Sequence, residues 1–404
     1  MRNREEDLRC CQRFFDAFAP VGALEDGGVT RLGYTAAEDE MHRRFASLAR
    51  ELGCRVETDE VGNTFAQMGE EKEYILIGSH LDSVVDGGRY DGVAGVIAGL
   101  MILRWAKEEG LALPVKAAAF RCEESSNFGH GVVGSGLVTG DVEERELADL
   151  TGQDGERLGD IFAHRGLSLT PRQISGVKEY LELHIEQGRV LESSHTGLGI
   201  VTTIAGNRRH RLRLTGMADH SGATPMDLRQ DALCAGAEII LAVERMGREE
   251  ARFQSVATVG VVENRPNVMN VIPGQVELGV DLRGRDPESL DRMETALTDL
   301  VREICERRGI RYEQRSLGRV PPVEMSRRIR KGLESAAQTL GLRCREMPSG
   351  AGHDAMHFAR HWDTGMVFIP CQGGISHNRA EKASLEDLLD GARVIFEYLK
   401  GAGR

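Results

Sequence analysis

Residues 74–95 read Tyr-Ile-Leu-Ile-Gly-Ser-His-Leu-Asp-Ser-Val-Val-Asp-Gly-Gly-Arg-Tyr-Asp-Gly-Val-Ala-Gly. The apolar run at 74–77 is that of a buried strand, and it stops at Gly78. His80, Asp82, Asp86 and Asp91 follow in a glycine-punctuated loop, before a helical pattern that starts at Val93. In open α/β sheets the ligand site lies outside the carboxyl ends of the strands, where these side chains fall. Imidazole and carboxylate donors together suit Zn or Mn. The loop by itself also reads as an exposed segment whose aspartates make turns and helix caps. The rest of the chain decides between the two.

Three further buried strands end in the same way. The run at 114–121 leads into Cys122-Glu123-Glu124-Ser125, and the run at 179–183 into His184-Ile185-Glu186-Gln187-Gly188. Residues 364–370 lead into Cys371-Gln372-Gly373-Gly374-Ile375-Ser376-His377-Asn378. Four strands therefore each deliver a potential metal ligand at or just beyond the carboxyl end, a coincidence that one strand explains by chance and four do not.

Between about 207 and 325 the pattern changes. Strands are predicted at 209–216, 254–262, 275–283 and 310–315, with helices at 228–246 and 287–308. The order β-α-β-β-α-β is that of a ferredoxin-like unit. It interrupts the first domain, because the strand before His377 must return to the sheet that holds His80. The expected division is 1–208 and 326–404 for an α/β catalytic domain and 209–325 for the insert. Helices at 5–18, 36–52 and 92–107, short strands at 54–57 and 64–68, and short helices within 125–177 complete the first domain.

At 404 residues the chain is too long for one ordinary core. Its 41% hydrophobic and 28% charged content is that of a water-soluble globular protein. A net charge of −12 argues against nucleic acid and against an anionic membrane surface as partners. No apolar run approaches membrane-spanning length, and residues 1–8 lack the apolar core of a signal peptide. Eight cysteines occur without paired C-x-x-C spacing, as expected of reduced thiols in a cytoplasmic protein.

His80, Asp91, Glu124, His184 and His377 supply three imidazoles and two carboxylates, a donor set for catalysis at two ions. Asp82, two residues after His80, can accept the other ring N–H of that histidine. In Glu123-Glu124 one carboxylate can bind metal while the other handles protons. His220, in the tight turn Asp219-His220-Ser221-Gly222-Ala223-Thr224-Pro225-Met226, can donate to a developing oxyanion. The same turn reads equally as a helix entry, with Thr224 as cap and Pro225 in first position. Asn270 offers an amide, and Arg283, ending a strand, can grip a carboxylate through two N–H groups. Gly350-Ala351-Gly352 suits close backbone approach to a substrate. His353 and His357 stand four apart like the pair of a zinc helix, but Asp354 is shorter than the glutamate such helices carry, so His357 is expected to be an ordinary helix residue.

Taken together and in this order, five motifs closely resemble the N-carbamoyl-L-amino acid hydrolase and allantoate amidohydrolase family. They are Gly78-Ser79-His80-Leu81-Asp82 with Gly87-Gly88-Arg89-Tyr90-Asp91-Gly92, the Glu123-Glu124 pair, Glu182 to Gly188, His220 to Met226, and Ile375-Ser376-His377. That family is the ureido-cleaving branch of the dinuclear metallo-aminopeptidase and aminoacylase superfamily. The resemblance implies a metallo-aminopeptidase-like catalytic domain with an inserted ferredoxin-like lid and dimerisation domain. It implies two divalent ions per subunit, Zn or Mn with Co or Ni as alternatives. His80, Asp91 and His184 would hold one ion, and Asp91, Glu124 and His377 the other. Glu123 would be the general base and His220 the oxyanion donor. Gln187, Asn270, Arg283 and the backbone of Gly350, Ala351 and Gly352 would contact substrate. A homodimer formed through the lid is implied as well. Ser221, Cys371 and Arg379 depart from the residues usual at their positions, and they bear on substrate preference rather than on metal or base.

The implied reaction is hydrolysis of the carbamoyl C–N bond of an N-carbamoyl-L-amino acid, a small ureido carboxylate, to amino acid, ammonia and carbon dioxide. Allantoate would use the same residues. Aminoacylase or aminopeptidase activity fits the Gly-Gly-Arg-Tyr-Asp and Glu-Gln-Gly forms less well, and a binding protein without catalysis would not need Glu123 and every ligand.

Overall fold

Strands buried on both faces form from continuous apolar runs. Tyr74–His80 and Val115–Phe120 are buried at every position, and Val177–Ile185 and Asp363–Ile369 at nearly every one. In the computed structural model, which describes residues 3–402, these are neighbours in a nine-stranded mixed sheet. The order across its middle is Val115–Phe120, Tyr74–His80, Val177–Ile185, Asp363–Ile369, and all three pairings are parallel. Four carboxyl ends therefore open side by side on one edge. Thr64–Gln67 and Leu198–Ile204 flank this block as antiparallel strands.

The Tyr74–His80 strand runs through Gly78 rather than stopping there. Gly78, Ser79 and His80 stay in register with Ala118, Ala119 and Phe120, so His80 is a strand residue, as is His184. Beneath the sheet, the helix Val93–Glu109 is buried from Val93 through Leu103, consistent with a sequence apolar all round. It packs with Phe14, Phe45 and Phe396 in one core.

The chain forms two compact units, one that runs to Thr202 and resumes at Glu324, and one of Thr203–Val323. The second is a four-stranded antiparallel sheet ordered Arg311–Val320, Gly206–Thr215, Gln275–Gly284, Val256–Arg265. Helices Ala232–Glu250 and Pro287–Arg308 complete the chain order β-α-β-β-α-β. Alternate residues such as Leu212, Leu214, Val276 and Leu278 bury against Ile239, Leu290 and Leu297. The Pro287–Arg308 helix has the bounds its sequence predicts. Asp286 accepts the Glu288 N–H at 3.0 Å, Pro287 fills the first turn, and Gly309 takes φ +65° at the end.

Elsewhere the bounds move. The first strand of the insert begins at Gly206 and the last extends to Val320. The first helix starts at Ala232, because Asp231 rather than Thr224 caps it, accepting from Leu233 and Cys234 N–H. Pro225 instead precedes a three-residue 3-10 turn, Met226–Leu228. Among the described residues no helix is long and apolar enough to cross a membrane. The cysteines are free thiols. Met1 and Arg2, at the head of the amino-terminal stretch read above, lie outside the described residues.

Candidate metal centre

His80, Asp91 and His184 meet at the carboxyl edge of the sheet, and their ligand atoms lie within 4.8 Å of one another. Each ring has its Nδ1 engaged elsewhere. His184 Nδ1 is 2.9 Å from the Ile185 carbonyl, and His80 Nδ1 is 3.3 Å from both the carbonyl and Oδ1 of Asp82. Nδ1 therefore carries the proton, and Nε2 turns its lone pair inward. The two Nε2 atoms are 3.5 Å apart, and they lie 3.3 and 3.1 Å from Asp91 Oδ1. Lone pairs converging on one point repel unless a cation sits among them, so this donor set fits a divalent metal.

The other carboxylate oxygen of Asp91 faces a second cluster. His377 Nε2 is 3.5 Å from Asp91 Oδ2 and 3.0 Å from Glu124 Oε1. Asp91, Glu124 and His377 again satisfy the spacing for an ion. One buried carboxylate thus presents one oxygen to each of two ligand clusters.

The charges answer to this crowding. Burial alone would raise Asp91, but His184, His377 and His80 outweigh it and hold the carboxyl well below its usual range. Burial alone would depress His80, yet Glu123, Asp82 and Asp91 lift its imidazole well above the ordinary histidine range. Asp91 and Glu124 carry His377 up to about 11. Protons and metal ions compete for these same lone pairs, so metal uptake would release protons.

Glu123 does not join either cluster. Its Oε2 lies 3.8 Å from His80 Nε2, beside the first, and its side chain is 10% exposed. Burial, reinforced by Glu124, Asp354 and Asp82, holds it well above the usual carboxylate range against the pull of His80. Asp82 does more than face His80. Its Oδ1 and Oδ2 accept the backbone N–H groups of Glu123 and Glu124, each at 3.0 Å. One carboxylate thereby joins a histidine ligand to the loop that carries both glutamates.

Gln187 was expected among the substrate contacts, and it lies against the clusters themselves. Its Nε2 donates to Asp91 Oδ2 at 2.8 Å and is 3.3 Å from His377 Nε2. The 350–352 loop leaves the Cys344–Ser349 strand, with Ser349 Oγ 2.8 Å from His353 Nε2. The His353 ring meets His184 edge-on, centroids 4.5 Å apart, which anchors the loop beside the first cluster. His357 sits in the short Ala355–Phe358 helix with Nδ1 2.9 Å from Asp141, outside the clusters. Asp86 also stays outside and accepts from Arg379 Nε at 2.9 Å.

In the inserted unit, His220 and Asn270 share one small ladder. The Ser221 N–H donates to the Asn270 carbonyl at 3.1 Å, and His220 bridges to Val271. Two backbone N–H groups, Gly222 and Ala223, donate to His220 Nδ1 at 3.0 and 3.1 Å. That fixes the proton on Nε2, and the exposed ring presents an N–H donor outward. Arg283 lines a groove of about 480 Å³ on the sheet face away from the helices, with its Nε 2.9 Å from Asp281 Oδ2.

Glu381 escapes the sequence reading. Its buried Oε1 accepts the N–H groups of Tyr90 and Asp91 at 2.9 and 3.1 Å. The Ser376 hydroxyl lies 3.1 Å from Glu381 Oε2 and 3.0 Å from Asp91 Oδ2. The one local signal is that Glu381 follows Ser376 and His377, both of which reach Asp91.

Gly92 is constrained twice over. It has φ +64°, and a Cβ there would lie 2.5 Å from the His80 ring. Gly92→Ala is expected to destabilise the protein by about 2–4 kcal/mol through backbone strain and overpacking. Because His80 must give way, bound metal should fall as well. Urea unfolding and metal analysis of the purified variant check both.

A parallel sheet with paired histidine–carboxylate clusters and an adjoining free glutamate defines a hydrolase able to work with metal ions. The comparisons agree. The model of Peptidase family M20/M25/M40 matches residues 76–401. The chain is 36% identical over 398 residues to an N-carbamoyl-L-amino acid amidohydrolase of Geobacillus stearothermophilus, covering 96% of each. It is 35% identical over 394 residues to an allantoate amidohydrolase of Bacillus subtilis, covering 96% of this chain and 95% of that one. A hydantoinase/carbamoylase family amidase from Burkholderia multivorans superposes with a TM-score of 0.87 at 33% identity, over 98% and 97% of the two chains. The chain belongs to the M20 peptidase family, in its hydantoinase/carbamoylase amidase branch, and is an amidohydrolase acting on ureido C–N bonds.

Proposed function

We propose that the protein hydrolyses N-carbamoyl-L-amino acids to the free amino acid, ammonia and carbon dioxide. The observation that carries this reading is Asp91, whose two oxygens face separate ligand clusters beside an uncommitted glutamate. His80, Asp91 and His184 would hold one divalent ion and Asp91, Glu124 and His377 the second, Zn or Mn by donor chemistry. When bound, such ions supply Lewis acidity, lowering the pKa of water and polarising a carbonyl.

The chain's own residues do the rest. Glu123 takes a proton from the attacking water as oxygen adds to the ureido carbonyl. His220, with its proton fixed on Nε2, donates to the developing oxyanion. Glu123 then returns the proton to the departing nitrogen as the C–N bond breaks, and the carbamate left behind releases carbon dioxide. Arg283 and Asn270 take the substrate carboxylate, and the 350–352 backbone allows close approach of substrate. Gln187 orients Asp91 as well as meeting substrate. The inserted domain acts as a lid and as the surface through which two copies pair.

Allantoate, also a carboxylate bearing ureido groups, is the second reading, favoured by near-equal identity to relatives of both names. Ammonia release from N-carbamoyl-L-amino acids, β-ureidopropionate and allantoate, with Mn or Zn supplied, separates them. The expected result is turnover of N-carbamoyl-L-amino acids at least about tenfold above allantoate in kcat/KM, a gap of ~1.4 kcal/mol. Turnover of allantoate alone would replace the first reading with the second.

A further inference from the structure

Cys122 stands between the end of the Val115–Phe120 strand and Glu123, and it is buried with φ +51°. A non-glycine residue rarely holds that conformation, and it persists only where the surroundings impose it. Two carboxylates impose it here. Asp82 accepts the N–H groups of Glu123 and Glu124, as described above, and Glu38 accepts the preceding one. Glu38 Oε1 lies 2.8 Å from the Cys122 nitrogen. Its Oε2 accepts from the Tyr34 N–H at 2.6 Å and from Arg121 Nη1 at 2.8 Å. Three successive backbone donors, 122, 123 and 124, thus each end on a buried carboxylate.

The setting is closed on every side. Glu38 is fully buried near the start of the Ala36–Glu51 helix. A Cβ at Gly33 would fall 2.5 Å from the Cys122 side chain, so only glycine lets this turn close over it. The Arg121 guanidinium is shared with Asp39, whose Oδ1 lies 2.7 Å from Nη1. Asp39 pairs with Arg121 and Arg165 and makes no hydrogen bond to the 122–124 turn.

We propose that Glu38 is a positioning residue for the reaction: it holds the left-handed turn at Cys122 that aims Glu123 at its proton and Glu124 at its ion. The proposal rests on the assignment of Glu123 as general base. Glu38 touches neither substrate nor ligand, and it acts only through the backbone of 122.

Glu38→Gln keeps the shape of the side chain and replaces one accepting oxygen with an NH2 group that cannot accept from these donors. Asp39→Asn is the matched control, since it weakens the same guanidinium and leaves the turn alone. Glu38→Gln is expected to lower kcat by about 10- to 100-fold with KM within threefold. Zinc titration of the metal-free protein should show the ion held by Glu124 and His377 bound about tenfold more weakly. Asp39→Asn should alter thermal stability with kcat within about twofold. Adding Cys122→Gly to Glu38→Gln should restore part of kcat, because glycine takes a positive φ without help. Should Glu38→Gln not fold, Glu38→Asp, which shortens the reach, is read in the same way. Equal kcat and zinc affinity in the Glu38 and Asp39 variants, or no rescue by glycine, overturns the proposal. Glu123→Gln measured alongside keeps the two ideas apart: near-wild-type turnover there refutes the base, whereas a severely impaired Glu123→Gln beside an unaffected Glu38→Gln refutes Glu38.

Discussion

Glu123→Gln is expected to cut kcat by about 10²- to 10⁴-fold, the range for loss of a general base, with metal content unchanged. The amide keeps the volume and a hydrogen-bonding oxygen but cannot carry a proton from water to leaving nitrogen. Metal should stay because Glu123 lies outside both ligand clusters, with Oε2 3.8 Å from His80 Nε2. The backbone should stay too, since Asp82 holds the N–H groups of residues 123 and 124, not the Glu123 side chain. Steady-state ammonia release and metal analysis of the same sample test this. Near-wild-type turnover would remove Glu123 from the mechanism.

The second large effect concerns Asp91. Its Oδ1 serves His80 and His184, and its Oδ2 serves His377 and Gln187. Asp91→Ala is therefore expected to release both ions and lower turnover by more than about 10³-fold, some 4 kcal/mol. His377→Ala removes a ligand from the second cluster only, and about one ion per chain should remain. Metal-to-protein ratios after desalting decide the matter. A single ion lost from Asp91→Ala, or both from His377→Ala, would show that the clusters do not share this carboxylate.

Much of this centre is legible in the chain because its ligands sit where strands end. Buried parallel strands have a local signature of continuous apolar residues, and the polar residue that follows marks the edge of the sheet. Tyr74–His80, Val115–Phe120 and Asp363–Ile369 carry it, while Val177–Ile185 is broken by Lys178, Glu179 and Glu182. The insert was legible for a similar reason: its strands alternate, and Asp286, Pro287 and Gly309 bracket a long amphipathic helix. Less legible was the Cys344–Ser349 strand, which reads Cys-Arg-Glu-Met-Pro-Ser and buries only Met347 and Ser349. A strand joined only to Leu198–Ile204, off the main run of the sheet, needs no apolar pattern.

The roles of the carboxylates behind the ligands could not be read this way. Glu381 reaches Asp91 across 290 positions and Glu38 reaches Cys122 across 84. In a local window each is only an acidic residue in a loop or near a helix start, where acidic residues are common for other reasons. Gln187 likewise gave no sign that it would donate to Asp91.

The sequence by itself pointed to the four strands that end at the site, to an inserted unit and to the five residues that the fold gathers into two clusters, because patterns of period two and 3.6 and strand-end polarity are local. Only the tertiary structure decided that Asp91 stands between two clusters and that Asp82 and Glu38 together hold the Cys122 turn. Those facts depend on the parallel order of four strands drawn from distant parts of the chain. Hydrogen bonds to buried backbone N–H groups are made by whatever carboxylate the fold brings within reach.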